Sequence, residues 1–241
     1  MKVLWCLHGN LQQSDVWDSL FWSLRRDTEK GFFIEAINLW ERLTDDCWEW
    51  SAAFCDEVKR SSTFALSQNY LLGYSLGGRL AFHSLLTSPD IWSGAMIVGA
   101  HPGSDDGDIK SQNLERDRIW AKRFLTEPWD DVLTEWDCLP VFCDRPCTLP
   151  RSEADFDRHK IAHAFEAYSK GKMDYLTPQL SRLSVPITYI TGSDDHRYSQ
   201  IGQTLAANCP NLLHIEIPDA GHRVPWEQPE AFMAVLIQAF R

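Results

Sequence analysis

A serine becomes chemically useful only when a base takes its proton and a third group holds that base in place. Gly73-Tyr74-Ser75-Leu76-Gly77 offers such a serine in a G-x-S-x-G sequence. It follows the apolar run Tyr70-Leu71-Leu72 and precedes a helix expected over Gly78–Leu86. A serine on so sharp a strand-to-helix turn needs small neighbours, and its hydroxyl lies near a helix N-terminus that favours a developing oxyanion. Taken bare, the motif is equally a glycine turn. The strand before it and the helix after it favour the chemical reading.

The base and its orienter follow in the order Ser…Asp…His. Ala220-Gly221-His222 lies on a loop after the last expected strand, Leu212–Ile217, and before the final helix. Gly192-Ser193-Asp194-Asp195 lies on the loop after Ile187–Ile190. Eight histidines are present, so one more means little; one at this loop means a good deal. Of the two adjacent aspartates we take Asp195 as the orienter and Asp194 as a solvated loop carboxylate. An oxyanion hole needs two N–H donors. Leu76, directly after the serine, supplies one, and Asn10, in Leu7-His8-Gly9-Asn10 after the first strand, supplies the other through its backbone.

These loops need a sheet to hold them. Apolar runs at Val3–Leu7, Phe32–Ile37, Tyr70–Leu72, Ala95–Val98, Ile187–Ile190 and Leu212–Ile217 show little polar alternation, as do strands buried on both faces. Helices are expected at Val16–Arg26, Trp48–Arg60, Gly78–Leu86, Gln200–Ala207 and Pro229–Phe240. Such alternation implies an α/β fold with a mostly parallel sheet flanked by helices. Residues 99–183 carry no convincing strand, only helical stretches near Leu114–Leu125, Trp129–Trp136 and Glu153–Tyr168. We read residues 1–98 and 184–241 as the core and 99–183 as an inserted helical cap.

Composition narrows the possibilities. The 241 residues carry a net charge of −11, which argues against a nucleic-acid surface. No run approaches the ~20 apolar residues of a membrane span. Seven cysteines without a paired framework, and a start that lacks a secretion signal, point to the reducing cytoplasm. Cys143, Cys147, His159 and His163 fall near a zinc-ligand spacing, but Pro146 and Pro150 interrupt the region, so neither a metal nor an organic cofactor is expected.

Over nearly its whole length the chain resembles α/β-hydrolase-fold enzymes, through His8-Gly9, the serine motif, Gly192–Asp195 and Ala220–His222. More narrowly, it resembles the 2-succinyl-6-hydroxy-2,4-cyclohexadiene-1-carboxylate synthases of menaquinone and phylloquinone biosynthesis. That likeness rests on Ser75-Leu76-Gly77-Gly78-Arg79, His101-Pro102-Gly103, Asp117–Phe124, Glu127-Pro128, Glu135-Trp136 and Pro140-Val141-Phe142. The resemblance implies a lyase that expels pyruvate from 2-succinyl-5-enolpyruvyl-6-hydroxy-3-cyclohexene-1-carboxylate, with Ser75 and His222 acting as a base. It places Tyr74, Arg79 and Trp136 around a small polycarboxylate substrate. Arg118 and Arg158 are further expected substrate contacts, since arginine's planar fork suits carboxylates.

The sequence also departs from the synthases. Asn113 stands where they usually carry an arginine, a charge that Arg116 or Arg118 could supply instead. Arg158 aligns only across a gap. Asn10-Leu11-Gln12-Gln13 lacks the usual small residues, and Asn38-Leu39-Trp40-Glu41-Arg42 replaces a glycine-rich turn. Larger relatives of this architecture also place strands before the first one seen here. Two rivals stay open: a serine esterase or thioesterase using the same triad, and a receptor that keeps the triad only as a binding pocket. The oligomeric state is left open too.

Overall fold

The structure is a computed structural model that describes residues 1–21, 32–61, 64 and 67–240. Its sheet contains β1 (Lys2–Leu7), β2 (Phe32–Ile37), β3 (Gln68–Tyr74), β4 (Gly94–Val98), β5 (Ile187–Gly192) and β6 (Leu212–Ile217). The strands are all parallel, in the order β2-β1-β3-β4-β5-β6. Parallel neighbours need crossover connections, and helices supply them. Among these are α1 (Cys47–Arg60), α2 (Leu76–Thr87) and α7 (His196–Asn208), while α8 (Val224–Glu227) and α9 (Pro229–Ala239) follow the last strand.

The side-chain period of two divides each central strand between two cores. Val3, Trp5, Leu7, Leu71, Ala95, Ile97 and Tyr189 face one core with α1, α2 and α7. Leu4, Cys6, Leu72, Met96, Val98 and Ile190 face the other, where Trp17, Phe21, Phe232 and Leu236 cover them. The edge strands are less buried: Phe33 on β2 is 57% exposed and Leu213 on β6 is 61% exposed. The helix expected over Val16–Arg26 begins with a 3-10 turn at Ser14–Trp17 and is helical over 18–21; residues 22–26 lie outside the described residues.

Between β4 and β5 the described chain holds helices and loops, with no strand. These are α3 (Gly107–Thr126), α4 (Trp129–Asp137), α5 (Arg158–Ala167) and the short α6 (Thr177–Leu180). The helix expected from Glu153 to Tyr168 is in fact two pieces. A 3-10 turn at Glu153–Asp155 is followed by Asp157, whose carboxylate accepts from the His159 and Lys160 N–H groups and starts α5 afresh. α3, α4 and α5 share their own apolar core of Trp120, Phe124, Trp129, Val132, Ile161 and Phe165. Phe124 is at its centre, stacked on Phe165 with ring centroids 5.5 Å apart and edge-on to Trp129 and Trp136.

The chain steps from β1 to β2 on one side of β1, then crosses back to place β3 on the other. The loops that leave β1 and β3 therefore diverge at their carboxyl ends, and such a switch point opens a crevice. Ser75 and Asn10 sit on those two loops.

Phe124→Ala is expected to lower unfolding free energy by about 3–5 kcal/mol, since it empties the centre of the helical layer. Leu213→Ala, on the exposed edge, should stay within about 0.5 kcal/mol. Urea titrations of the two variants check both.

Candidate active site

Ser75 is the residue between β3 and α2, with φ 52° and ψ −106°. A side chain at positive φ is strained, at a cost of roughly 1–3 kcal/mol. Surrounding contacts hold it there. The Ser75 N–H donates to the Val98 carbonyl at 2.8 Å, the Gly77 N–H donates to the His8 carbonyl at 3.0 Å, and the Arg79 N–H donates to the Ser75 carbonyl at 3.1 Å. Gly77 packs so tightly on the end of β1 that a Cβ there would collide with the Leu7 and His8 backbone.

His222 Nε2 is 3.2 Å from Ser75 Oγ, and His222 Nδ1 is 2.6 Å from Asp195 Oδ2. His222 and Asp195 are both about 3% exposed. The second Asp195 oxygen accepts from the Tyr198 N–H, so Asp195 also caps α7. That explains why α7 starts at His196, four residues before the expected Gln200. Gly99, at φ 55°, lies under the imidazole; a Cβ there would come within 2.8 Å of it. The histidine loop is fastened by Glu227, which accepts from the Gly221 and Arg223 N–H groups at 2.5 and 3.1 Å. Asp194 points away. It is exposed and pairs with Arg145, whose guanidinium, with the Ser193 hydroxyl, holds its carboxyl below the usual range.

Leu76 opens α2, so its N–H has no carbonyl within the helix. Asn10 lines the cavity in front of Ser75, and its Oδ1 is buried without a hydrogen-bond partner among the described residues. Its loop lacks small residues and is braced another way. Gln12 Oε1 accepts from the Gly9 N–H at 2.8 Å, and the Gln12 carbonyl accepts from the Trp40 indole at 2.6 Å. His8 accepts from the Leu39 N–H through Nε2, which leaves Nδ1 to donate to the Gly9 carbonyl. Burial pushes its pKa down to about 4, so it stays neutral. This histidine is a strut between the loops after β1 and β2.

The cavity, about 270 Å³ in volume, is lined by Ser75, His222 and Asn10 and walled by Trp120, Trp136, Phe142 and Phe165. Four cations reach it: Arg79, Arg116, Lys170 and Arg197. Arg79 donates to the Tyr168 carbonyl. Tyr74 lies behind the serine, its ring centroid 5.5 Å from that of His222, and lines a small adjoining hollow.

Tyr74 therefore does not line the main cavity, and two further expected contacts, Arg118 and Arg158, do not reach it either. Arg118 is exposed and pairs with Glu115 across one helical turn. Each residue turns an α-helix by ~100°, so Arg118 lies far round α3 from Arg116, which does line the cavity. Arg158 turns toward its own layer. It donates to the Phe124 and Glu127 carbonyls at the end of α3, pairs with Glu153 and sits over the Trp129 ring. Asn113 is buried and donates to the Ile109 carbonyl, so it carries nothing into the pocket. Sequence reasoning missed Lys170 and Arg197. Cys143 bonds the Asp194 carbonyl and His163 the Thr44 carbonyl; among the described residues no three His, Cys, Asp or Glu side chains gather to hold a metal. Nor is any helix among them long and apolar enough to cross a membrane.

A serine elbow at the switch point of a parallel sheet, with histidine and aspartate on the loops after β6 and β5, defines an α/β-hydrolase fold. The Alpha/beta hydrolase family matches residues 6–235 of the chain. The chain is 32% identical over 225 residues to a 2-succinyl-6-hydroxy-2,4-cyclohexadiene-1-carboxylate synthase of Serratia proteamaculans, a match spanning 83% of this chain and 86% of that protein. It is 33% identical over 177 residues to the protein of the same name from Yersinia pestis, a match spanning 71% of this chain and 63% of the relative. The chain thus belongs to the α/β-hydrolase family and, within it, to the 2-succinyl-6-hydroxy-2,4-cyclohexadiene-1-carboxylate synthases. Among solved structures it superposes on MenH from S. aureus with a TM-score of 0.83 at 21% identity, covering 99% of this chain and 93% of that one. A lipase-esterase related protein from Clostridium acetobutylicum follows the same fold, with a TM-score of 0.68 at 13% identity.

The two adjacent aspartates separate in a labelling experiment. Asp195→Asn should slow the reaction of Ser75 with a fluorophosphonate by about 10⁴-fold, because the imidazole loses its orientation. Asp194→Asn, which breaks only an exposed ion pair, should change it by less than about fivefold.

Proposed function

We propose that the protein eliminates pyruvate from 2-succinyl-5-enolpyruvyl-6-hydroxy-3-cyclohexene-1-carboxylate, giving 2-succinyl-6-hydroxy-2,4-cyclohexadiene-1-carboxylate in menaquinone or phylloquinone biosynthesis. The observation that carries this reading is a complete Ser75–His222–Asp195 relay opening into a pocket with four cations. Kinship to the synthases gives the reaction; the pocket gives it a physical basis.

Substrate and product differ in a way that fixes what the base must do. The ring double bond at carbon 3 becomes a 2,4-diene, so the proton leaves carbon 2, which carries the succinyl ketone. Its electron pair forms the new double bond to carbon 3. The old double bond shifts to carbon 4, and the bond from carbon 5 to the enolpyruvyl oxygen breaks. The leaving group departs as enolpyruvate, which takes a proton to become pyruvate. His222 draws the proton from Ser75, and the Ser75 oxygen removes the ring proton. Asp195 steadies the imidazolium that forms. Negative charge spreads onto the ketone oxygen as the proton leaves, and the N–H groups of Leu76 and Asn10 are suited to receive it.

Arg79, at the first turn of α2, holds a substrate carboxylate near the serine, with Trp136 walling the pocket around the ring and Tyr74 supporting the serine and His222 from behind. Residues 99–183 serve as the cap that shields the reaction from water. Phe142, from the segment after α4, comes within 6.0 Å of the His222 ring, centroid to centroid. The chemistry calls for no metal and no organic cofactor. Seven free thiols suit the cytoplasm.

Pyruvate release from the enolpyruvyl substrate tests the reading. The wild type should release it rapidly. Ser75→Ala should lose at least about 10⁴-fold, and Arg79→Ala about 10- to 100-fold in kcat/KM, as befits a charged hydrogen bond. No release, with hydrolysis of p-nitrophenyl esters instead, would make the protein an esterase.

A further inference from the structure

Four cations and a single carboxylate, Asp117, line the cavity. Asp117 is already committed. Its Oδ1 takes the Arg116 Nε and Nη2 donors at 3.1 and 2.8 Å, and its Oδ2 takes the Ser169 hydroxyl at 2.7 Å. Lys170 is left with no hydrogen bond or ion pair among the described residues, yet it lies on a turn that is held firmly. Arg79 donates to the Tyr168 carbonyl on one side. The Tyr168 hydroxyl accepts from the Thr44 N–H at 2.9 Å. On the other side the Gly171 N–H donates to Ser169 Oγ at 3.1 Å, and Gly171 fits so closely against α3 that a Cβ would be 2.5 Å from Leu114. A rigid turn thus places an uncompensated ammonium among three guanidiniums. An arrangement that repels itself is stabilised when an anion enters.

We propose that Lys170, with Arg116 and Arg197, binds a second, non-reacting carboxylate of the substrate and so sets the preference for polycarboxylate over monocarboxylate ligands. The proposal rests on the lyase reading only for the identity of that ligand; the carboxylate site follows from the cations. Groups from every surrounding element face the ammonium: Arg79 on α2, His101 after β4, Arg116 and Asp117 on α3, and Arg197 on α7. Burial first, and then Arg116, Arg197 and Arg79, bring its pKa down to about 7, with Asp117 opposing them. His101 is itself held down at about 3 by burial and by these cations, so it stays neutral. Above pH 7 the empty site therefore holds Lys170 mostly uncharged. A bound carboxylate favours the charged form, so binding there takes up a proton, and affinity falls as pH rises, by up to about tenfold per unit above 7.

A stable probe is a benzoate bearing an ortho succinyl group, an aromatic dicarboxylate that does not turn over. Calorimetry at pH 8 in two buffers of different ionisation enthalpy counts the protons. The wild type should take up close to one proton per ligand. Lys170→Arg should bind at least as tightly at pH 8, take up none, and show affinity independent of pH from 7 to 9. Lys170→Met should lose about 10- to 100-fold in affinity for the dicarboxylate and little for benzoate. No proton uptake by the wild type, or Lys170→Met within twofold of it, would overturn the proposal. Should Lys170→Met fail to fold, the wild-type proton count and Lys170→Arg still decide. No turnover is involved, so loss of pyruvate release would count against the lyase reading and leave this result standing.

Discussion

The left-handed turn at Ser75 is unfavourable by itself, and three separate parts of the fold must agree to keep it. β4 accepts its N–H at Val98, the end of β1 accepts the Gly77 N–H at His8, and α2 begins at once with Leu76, whose N–H has no carbonyl within the helix. Each of these requires the β1-β3-β4 order of the sheet. The same order places the loop of Asn10 beside the serine and, two strands further on, the loops of Asp195 and His222. The strain at one residue is therefore borne by contacts that the strand order sets, and two buried cores hold that order in place.

Charge gives the site its second constraint. A protein with a net charge of −11 repels a polycarboxylate at long range, so attraction has to be concentrated where the ligand goes. Three guanidiniums around about 270 Å³ do that, joined by Lys170 when an anion is bound and backed by low-dielectric aromatic walls. Outside the pocket, cations are used structurally. Arg223, next to His222, lies over the Phe142 ring at 3.7 Å and shares Asp137 with Arg151, while Arg145 joins Asp194 to Glu227. These pairs tie the segment after α4 to both triad loops. Sites that depend on sub-ångström placement need such support.

The strands and the relay residues were legible in the sequence because both are local signals: an apolar run, then a short loop with glycine and a reactive side chain. Asp195 could be chosen over Asp194 by position, and the structure adds the reason, since the same carboxylate caps α7. The pocket's cations were less legible. Arg116 and Arg118 are alike in sequence, and only the face α3 presents, fixed by Trp120 and Phe124 packing on α5, separates them. Arg158 has the right chemistry but is claimed by the carbonyls at the end of α3. Lys170 and Arg197 carry no motif. The first depends on a turn that docks against α3 through Ser169, the second on where α7 starts, and both are tertiary facts.

In the proposed reaction Ser75 relays a proton and does not take up an acyl group. The most direct test is the intact mass of the enzyme quenched during steady turnover of the enolpyruvyl substrate, with deuterium at ring carbon 2 in a parallel run. The protein should stay unmodified throughout, with a primary isotope effect on pyruvate formation. A covalent adduct on Ser75 that forms and decays at the turnover rate would make the serine a nucleophile instead.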